Sequence, residues 1–425
     1  MSALDAPADA RDQQIKELEA GLMKARAELE TLQKKVPPDY DQLAKEARKR
    51  FLQFIVSRVN PGAEDRLKGD LSSWGPELWQ EAGRLGLIGF NAPQALGGEG
   101  RDVAAWCITL EELGKLIEDP GFLVVLMVSK NLARLMYDLG RQDLVEKFGK
   151  PMIRGELLLS WAMWEQADPT FMQSVAKKVD GGWKITASKP IIIGALYANI
   201  FAVVVREEAS SEPALFLVKR SDPNVKVSPV GTTGGRHVGF GSLELKDTFV
   251  PDEQLLLDND VVGTASRVFA SEGLVNAMAA HVGWMQRIFN LCVEGLRPKV
   301  RQGQQVLDFP HVQSELGRLH MGIETARSLM LRVMEKYRLK EHDPMSEPLT
   351  VIFRHYVVER AMDTARTVVT LQGAAGYMDA NPYGRYFTHV AALLHIGGAH
   401  DLLPMMVGAR QLMEMEMRKL RRVGL

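Results

Sequence analysis

A buried strand is predicted at Ile200-Phe201-Ala202-Val203-Val204-Val205, because a short apolar run rich in β-branched residues is typical of a strand inside a sheet. Further short runs of this kind are Lys184-Ile185-Thr186, Ala214-Leu215-Phe216-Leu217-Val218 and Ser242-Leu243-Glu244-Leu245. Turn residues separate them at Asp180-Gly181-Gly182, Ser221-Asp222-Pro223-Asn224 and Gly234-Gly235. The pattern predicts an all-β region that covers residues 157–260.

The segments on both sides of this region have helical patterns. In residues 39–156, Trp74-Gly75-Pro76 is typical of a helix start, since proline is favoured in the first turn. From Thr264 onward the pattern is helical again, with interruptions near Pro298, Pro344 and Pro382. The sequence therefore predicts an α+β protein: a helical N-terminal domain (39–156), a middle β-barrel-like domain (157–260) and a C-terminal helical bundle domain (261–425).

Residues 1–38 form a separate N-terminal segment. Its first part, residues 1–11, is small and polar, and we expect it to be disordered. Beyond it, apolar residues recur at alternating spacings of three and four, at Ile15, Leu18, Leu22, Ala25, Leu29 and Leu32. This heptad pattern predicts a coiled-coil-like helix that could dock a partner through residues 12–35, although a single amphipathic helix lying on the same protein explains it equally well.

The composition narrows the functional classes. The chain has 425 residues, with 52 Lys and Arg against 53 Asp and Glu, so its charge favours neither nucleic acid nor an anionic membrane. Cys107 and Cys292 lie in apolar helical contexts and are expected to be buried free thiols. The N-terminus is charged, which disfavours a signal peptide, and no apolar run reaches the ~20 residues that cross a bilayer. We expect a soluble, cytoplasmic protein.

Several motifs occur in the order and spacing of one family. They are Gly86-Leu87-Ile88-Gly89 through Gly97-Gly98, Trp161–Glu165, Asp180–Lys189, Asp247–Pro251 and Leu371–Tyr377. Through them the chain after residue 40 resembles the acyl-CoA dehydrogenase family. The resemblance implies a C-terminal four-helix bundle, bound FAD, a homotetramer or dimer of dimers, and α,β-dehydrogenation of an acyl thioester carried by CoA or a carrier protein. In that chemistry a carboxylate removes the α-proton and the flavin accepts the β-hydride.

The position that carries the usual glutamate base of this family holds glycine here. Counting forward from Gly376 places the base at Gly397, and counting back from Arg410 places it at Gly398. Glycine has no side chain that could accept a proton. Some family members carry the base on the first long C-terminal helix, where the resemblance points to Gly273 with Glu272 directly before it. Glu272 would need a local bulge to serve, and an ordinary helix N-terminal carboxylate is the alternative.

The residues that the resemblance places beside FAD are also changed. Trp164 stands where a small hydroxyl residue is expected, and Ile191 stands where the family stacks a tryptophan. Lys299 replaces the arginine that would clamp the pyrophosphate, and a lysine lacks the bidentate fork of arginine. Arg301 could substitute from a neighbouring register. The turn from Gly373 to Gly376 could bring its backbone close to a phosphate.

Three histidines, His389, His395 and His400, lie close together in the sequence. Their spacings of 6 and 5 match no standard metal-ligand pattern, so no metal site is predicted. Flavin-dependent monooxygenases, a branch similar in fold, use histidine near this position. His395 or His400 is therefore a candidate base or flavin-peroxide partner, and histidines hydrogen-bonded within a helical bundle are the alternative.

Three hypotheses about function remain open on the sequence. The chain is a divergent FAD oxidoreductase acting on an acyl thioester, or a non-catalytic subunit that forms a heterotetramer with a related chain carrying the glutamate. Alternatively, the scaffold has been repurposed for non-redox thioester chemistry, with Trp164 and Ile191 filling the flavin space.

Overall fold

The structure, a computed structural model, describes residues 39–165, 172–268, 275–338, 348–378, 381–395 and 400–422, together with the isolated positions 16, 21 and 23. The predicted coiled-coil helix of residues 12–35 therefore lies outside the described residues, apart from those three positions. The same holds for Glu272 and for the two predicted base positions, Gly397 and Gly398.

The N-terminal part is helical. Its helices are α1 (Tyr40–Phe54), α2 (Ala63–Lys68), α3 (Pro76–Arg84), α4 (Val103–Leu116), α5 (Gly121–Asp138), α6 (Gln142–Leu144) and α7 (Lys150–Ile153), the last two joined by a π-helical turn (Val145–Gly149). Local signals set the helix starts. The side chain of Asp39 accepts a hydrogen bond from the Gln42 amide, and Asp102 accepts one from the Ala104 amide. Pro76 occupies the first turn of α3, as its sequence predicts.

The middle part is one eight-stranded sheet. Its strands are β1 (Leu159–Ala162), β2 (Val175–Val179), β3 (Gly182–Ile192), β4 (Ile200–Glu207), β5 (Pro213–Lys219), β6 (Val225–Pro229), β7 (Gly241–Pro251) and β8 (Leu255–Leu257). The strand order is β6-β7-β3-β2-β4-β5-β8, with β1 paired to β4. The pairings of β4 with β1 and with β2 are parallel, and the remaining pairings are antiparallel. The central strand β4 contains the apolar run Ile200–Val205, and six of its residues are buried.

The C-terminal part is helical again. It contains α8 (Val261–Val268), α9 (Val275–Leu296), a small hairpin of β9 (Val300–Arg301) and β10 (Gln304–Gln305), α10 (Pro310–Arg338), α11 (Pro348–Gln372), α12 (Pro382–Ala391) and α13 (Leu402–Arg422). The predicted order of helical, sheet and helical parts is confirmed. Cys107 and Cys292 are both buried and are not joined in a disulfide, as expected. Among the described residues, no helix is both long and apolar enough to cross a membrane.

The helical parts touch at glycines. A Cβ at Gly114 in α4 would lie 2.1 Å from the carbonyl oxygen of Ala280, and a Cβ at Gly283 in α9 would lie 1.8 Å from that of Glu111. Only glycine permits this backbone approach. Beside this contact, Arg327 in α10 donates a 2.6 Å hydrogen bond to the fully buried Glu111. The two helical parts and one face of the sheet therefore share one hydrophobic core.

Candidate functional site

A pocket of about 530 Å³ lies between the sheet and the C-terminal helices, within the size range of small-molecule sites. Four parts of the chain line it: the residues after β1, the end of β3, the loop before β7 and the end of α12. The lining residues are Trp164, Ile191, Ile193, Gly231, Thr232, Thr233, Gly234, Phe240, Thr388, Ala391, Ala392 and His395. The pocket brings together Trp164, Ile191 and His395, which the sequence analysis singled out separately.

One wall of the pocket is apolar and accessible. Trp164 is 51% exposed and Ile191 is 44% exposed, although both are large hydrophobic side chains. The next residue in β3, Ile192, points to the other face of the sheet and is buried. The exposed pair therefore leaves apolar surface that a bound molecule could cover.

A buried ion pair holds the main chain on both sides of Trp164. The ammonium group of Lys189, fully buried, donates to Glu165 Oε1 at 2.7 Å, to the Val204 carbonyl at 2.6 Å and to the Met163 carbonyl at 3.3 Å. Burial lowers the pKa of Lys189, and its contact with Glu165 opposes that shift. Burial raises the pKa of Glu165, but hydrogen bonds from Lys189 and from nearby amides outweigh it, so the net shift is downward.

A glycine brings the loop before β7 against α12. A Cβ at Gly234 would lie 2.1 Å from the carbonyl oxygen of Thr388, so no larger residue fits without moving the loop or the helix. At Gly231, at the start of the same loop, a Cβ would have no heavy atom within 4 Å. The close contact at Gly234 therefore closes one side of the pocket.

The structure separates the two candidate histidines. His395 lies directly after the helical turn Ala392–Leu394 that follows α12, and it lines the pocket. His400 lies outside the pocket lining and is 6% exposed. Its Nε2 is 2.9 Å from Glu359 Oε1, and its ring stacks on that of His355. Of the two, only His395 is placed where it could act on a molecule in the pocket.

The predicted pyrophosphate residues lie together beside the C-terminal end of α11. Lys299 donates to the Gln372 carbonyl at 3.0 Å and to its side-chain oxygen at 2.7 Å, so it caps the helix end. Gly373 has a φ of +66° and open space around its Cβ direction. A Cβ at Gly376 would instead lie 2.4 Å from the Val369 carbonyl oxygen, so this glycine is needed for packing of the turn. Arg301, two residues after Lys299 in β9, is exposed.

Three family models match the chain in the order of its three parts. They are the N-terminal domain of acyl-CoA dehydrogenase over residues 37–156, the middle domain over 165–248 and the C-terminal domain over 264–412. Together these ranges cover most of the sequence. The chain belongs to the acyl-CoA dehydrogenase family.

Individual acyl-CoA dehydrogenases are similar to the chain over most of their length. Benzylmalonyl-CoA dehydrogenase of Aromatoleum aromaticum is 24% identical over 363 residues, which cover 84% of this chain and 94% of that relative. The structure of butyryl-CoA dehydrogenase from Megasphaera elsdenii superposes with a TM-score of 0.80 at 21% identity and covers 89% of this chain and 99% of its own. The structure of the prolyl acyl carrier protein oxidase AnaB superposes with a TM-score of 0.79 at 17% identity, and the match covers 88% of this chain and 99% of the AnaB chain.

Members of the acyl-CoA dehydrogenase family typically bind FAD, and features of the pocket fit a flavin. Its volume suits a ring of that size class, and Trp164 and Ile191 offer an apolar wall. Thr232 Oγ1, which lines the pocket, is buried without a hydrogen-bond partner among the described residues. A buried polar atom of this kind is stabilised when a ligand supplies the missing hydrogen bond. Sequence patterns gave no indication of Thr232.

The titratable side chain in the described lining of this pocket is a histidine. None of the lining residues within the described ranges is an aspartate or glutamate, and the imidazole of His395 is the side chain among them that could serve as a general base. A neutral imidazole can accept a proton from a bound molecule at one of its ring nitrogens.

A second cavity, of about 260 Å³, lies on the other side of α12. Thr388 lines the first pocket, and the next residue, His389, lines this second cavity. His237 and His389 line it, and behind them His281 completes a group of stacked rings. Burial lowers the pKa of His237 to about 3 and that of His281 to about 4, and it holds the pKa of His389 well below the usual value. All three are therefore neutral at physiological pH. Of these three histidines, only His389 belongs to the C-terminal run of His389, His395 and His400 that stands out in the sequence.

Proposed function

We propose that this acyl-CoA dehydrogenase family member is an FAD-binding oxidoreductase acting on an acyl thioester. The pocket between the sheet and α12 carries the proposal, because Trp164, Ile191 and His395 converge on a space of about 530 Å³. The family membership and the polar atom of Thr232 support a flavin as the occupant. The same pocket then combines an apolar wall for the cofactor with a proton acceptor for the substrate.

Each group has a role that follows from its position. FAD, when bound, supplies the acceptor for the β-hydride of the acyl chain. Trp164 and Ile191 would cover the flavin ring, and Thr232 would provide a hydrogen bond at its edge. His395 would accept the α-proton at a ring nitrogen. Lys299 and Arg301 place positive charge beside the Gly373 turn, which suits a pyrophosphate although Lys299 already binds Gln372.

The thioester can be carried by CoA or by a carrier protein. Benzylmalonyl-CoA dehydrogenase supports the first and the prolyl acyl carrier protein oxidase supports the second, both at low sequence identity. Panels of acyl-CoA and acyl-carrier-protein thioesters, mixed anaerobically with the flavin-loaded protein, would distinguish them. Bleaching of the flavin band by one panel and not by the other identifies the carrier.

The first test is the visible spectrum of the purified protein before and after incubation with FAD. A flavin band is expected, and Trp164→Ala should weaken FAD binding by at least about tenfold through loss of the apolar wall. Phe249→Ala is the matched control, because Phe249 is an aromatic side chain of similar exposure (46%) on β7 that does not line the pocket. A protein that takes up no FAD would instead favour non-redox thioester chemistry on this scaffold.

A second test concerns the proton acceptor. His395→Gln should lower the rate of substrate-driven flavin reduction by roughly 100-fold or more while FAD binding stays unchanged. His320→Gln, at an exposed position of α10, is the control. Glu272→Gln should be assayed beside them, since Glu272 is the other candidate base. An unchanged rate in His395→Gln with a large loss in Glu272→Gln would assign the proton to the glutamate.

A non-catalytic subunit is the alternative function. It is favoured by the absence of a carboxylate among the described lining residues, and by the apolar side chains exposed along α13. These include Leu402, Met405, Met406, Leu412, Met413, Met415 and Met417. Such a surface suits a homotetramer or a heterotetramer with a related chain. Light scattering and co-purification would decide, because an active homotetramer excludes the non-catalytic role.

The N-terminal heptads support a further docking role. Deletion of residues 1–36 should leave the fold intact and abolish association with a partner if residues 12–35 form an intermolecular coiled coil. A strongly lowered melting temperature of the truncated protein would show instead that the helix packs on its own body.

A further inference from the structure

A cluster of metal-ligating side chains lies outside the flavin pocket. His355 and Glu359 are four residues apart in α11 and so project from the same face of that helix. His400, two residues before α13, meets them there, with its Nε2 2.9 Å from Glu359 Oε1. One ligand atom from each of the three side chains lies within 4.8 Å of the other two.

The arrangement is not explained by hydrogen bonding alone. The Glu359–His400 contact uses one nitrogen of His400, and the other, Nδ1, is buried without a partner among the described residues. The His355 and His400 rings stack with centroids 4.5 Å apart, and such stacking provides no hydrogen bond. A buried nitrogen without a partner is costly, so hydrogen bonds among the described residues do not account for both nitrogens of His400.

The donor set has the chemistry of a zinc-class site. Two imidazole nitrogens and one carboxylate oxygen are the ligands of many zinc centres, which bind at about 2.0–2.2 Å and keep the fourth position open. Glu359 is 47% exposed in its side chain and His355 is half-buried, so both can rotate to close the present spacing. The buried His400 would be the fixed ligand.

We propose that His355, Glu359 and His400 bind one divalent transition-metal ion of the zinc class. The ion would join α11 to the start of α13. His400 follows the pocket residue His395 by five positions, so metal binding would also anchor the chain next to the proposed active site. The sequence predicts no metal site, because the spacings of His389, His395 and His400 match no standard ligand pattern and the other two ligands lie far away in α11.

The test uses the full-length protein, stripped with a chelator and titrated with ZnCl₂ by calorimetry. One ion per chain is expected. His355→Ala and His400→Ala should each weaken zinc binding by at least about tenfold, as losses of metal-site groups commonly do. His320→Ala, an exposed histidine in α10, should bind zinc like the unchanged protein. Co²⁺ in place of Zn²⁺ should give visible absorption that His400→Ala abolishes.

Glu359→Gln separates a metal site from a hydrogen-bonded cluster. Glutamine can keep the hydrogen bond to His400 but is a poor zinc ligand, so melting of the metal-free protein should be unchanged while zinc affinity falls. This variant also guards against misfolding of the histidine variants, since Glu359 lies at the surface. Saturable binding that survives all three substitutions, or no saturable binding at all, would overturn the proposal.

Discussion

At the scale of single residues, the apolar wall of the proposed flavin pocket depends on the buried ammonium group of Lys189. Its three hydrogen bonds reach residues on both sides of Trp164 and the neighbouring strand β4. Glu165 in turn accepts a 2.8 Å hydrogen bond from the amide of Gln173, eight residues further along the chain. The position of Trp164 is thus set by charges that do not themselves line the apolar wall.

Lys189→Met should therefore destabilise the protein by about 3–5 kcal/mol, because Glu165 would lose its charged partner and the carbonyls of Met163 and Val204 would lose their donor. The control is Lys178→Met. Lys178 forms an ion pair with the half-exposed Asp252, and loss of this pair should cost no more than about 1 kcal/mol. Urea unfolding of both variants measures the difference. The double change Lys189→Met with Glu165→Gln should recover part of the loss, and equal costs for Lys189→Met and Lys178→Met would contradict this explanation.

At the scale of elements, the pocket exists because a loop and a helix meet without side chains between them. The loop before β7 touches α12 through Gly234, whereas a Cβ at its first glycine, Gly231, would meet nothing within 4 Å. The sequence predicts a turn at Gly234, but not its contact with Thr388. The contact joins elements far apart in the chain, which local turn preferences do not specify.

Gly234→Ala should destabilise the protein by about 1–3 kcal/mol, because the new methyl group overlaps the Thr388 carbonyl. It should also weaken FAD binding, since relief of the overlap moves one side of the pocket. Gly317→Ala, in α10 outside the pocket lining and with no atom within 4 Å of its Cβ direction, is the control and should neither lower stability nor weaken FAD binding. Thermal unfolding and FAD titration provide the two measurements. A Gly234→Ala protein with unchanged FAD affinity would show that this loop does not shape the site where FAD binds.

At the scale of the whole molecule, the contact of α4 with α9 joins the two helical parts. Gly283→Ala places a Cβ 1.8 Å from the Glu111 carbonyl oxygen and should cost about 1–3 kcal/mol or more. Gly317→Ala, in α10 with no atom within 4 Å, should instead stabilise by about 0.5–1 kcal/mol, as alanine does in a helix interior. Equal free energies of unfolding of the two variants in urea would show that α4 and α9 can move apart at Gly283 without loss of stability.

The buried histidines make stability depend on pH. His237, His281 and His389 stay neutral in the folded protein down to about pH 4 or below, whereas the unfolded chain protonates them below about pH 6.5. The unfolded state then binds more protons, so stability falls as the pH drops from 6.5 towards 4. Asp119 acts in the opposite direction, because burial raises its pKa to about 7, but one carboxyl does not offset three imidazoles.

His389→Gln should therefore reduce this pH dependence by about 1.4 kcal/mol per pH unit, the contribution of one proton. The measurement is the free energy of unfolding in urea at several values between pH 4.5 and 7.5. His320→Gln, at the exposed position in α10, should leave the slope as it is. An identical slope in both variants would mean that His389 is protonated in the folded state.

Local patterns along the chain predict the order of helical, sheet and helical parts, because helix caps, turn residues and β-branched runs act over a few neighbouring residues. The family motifs point to Trp164, Ile191 and His395 one at a time. That these three share a pocket, that Lys299 binds Gln372, and that His400 joins His355 and Glu359 follows from the three-dimensional packing alone. Each of these arrangements joins residues tens to hundreds of positions apart, and such pairings depend on the packing of whole elements, which local spacing does not encode.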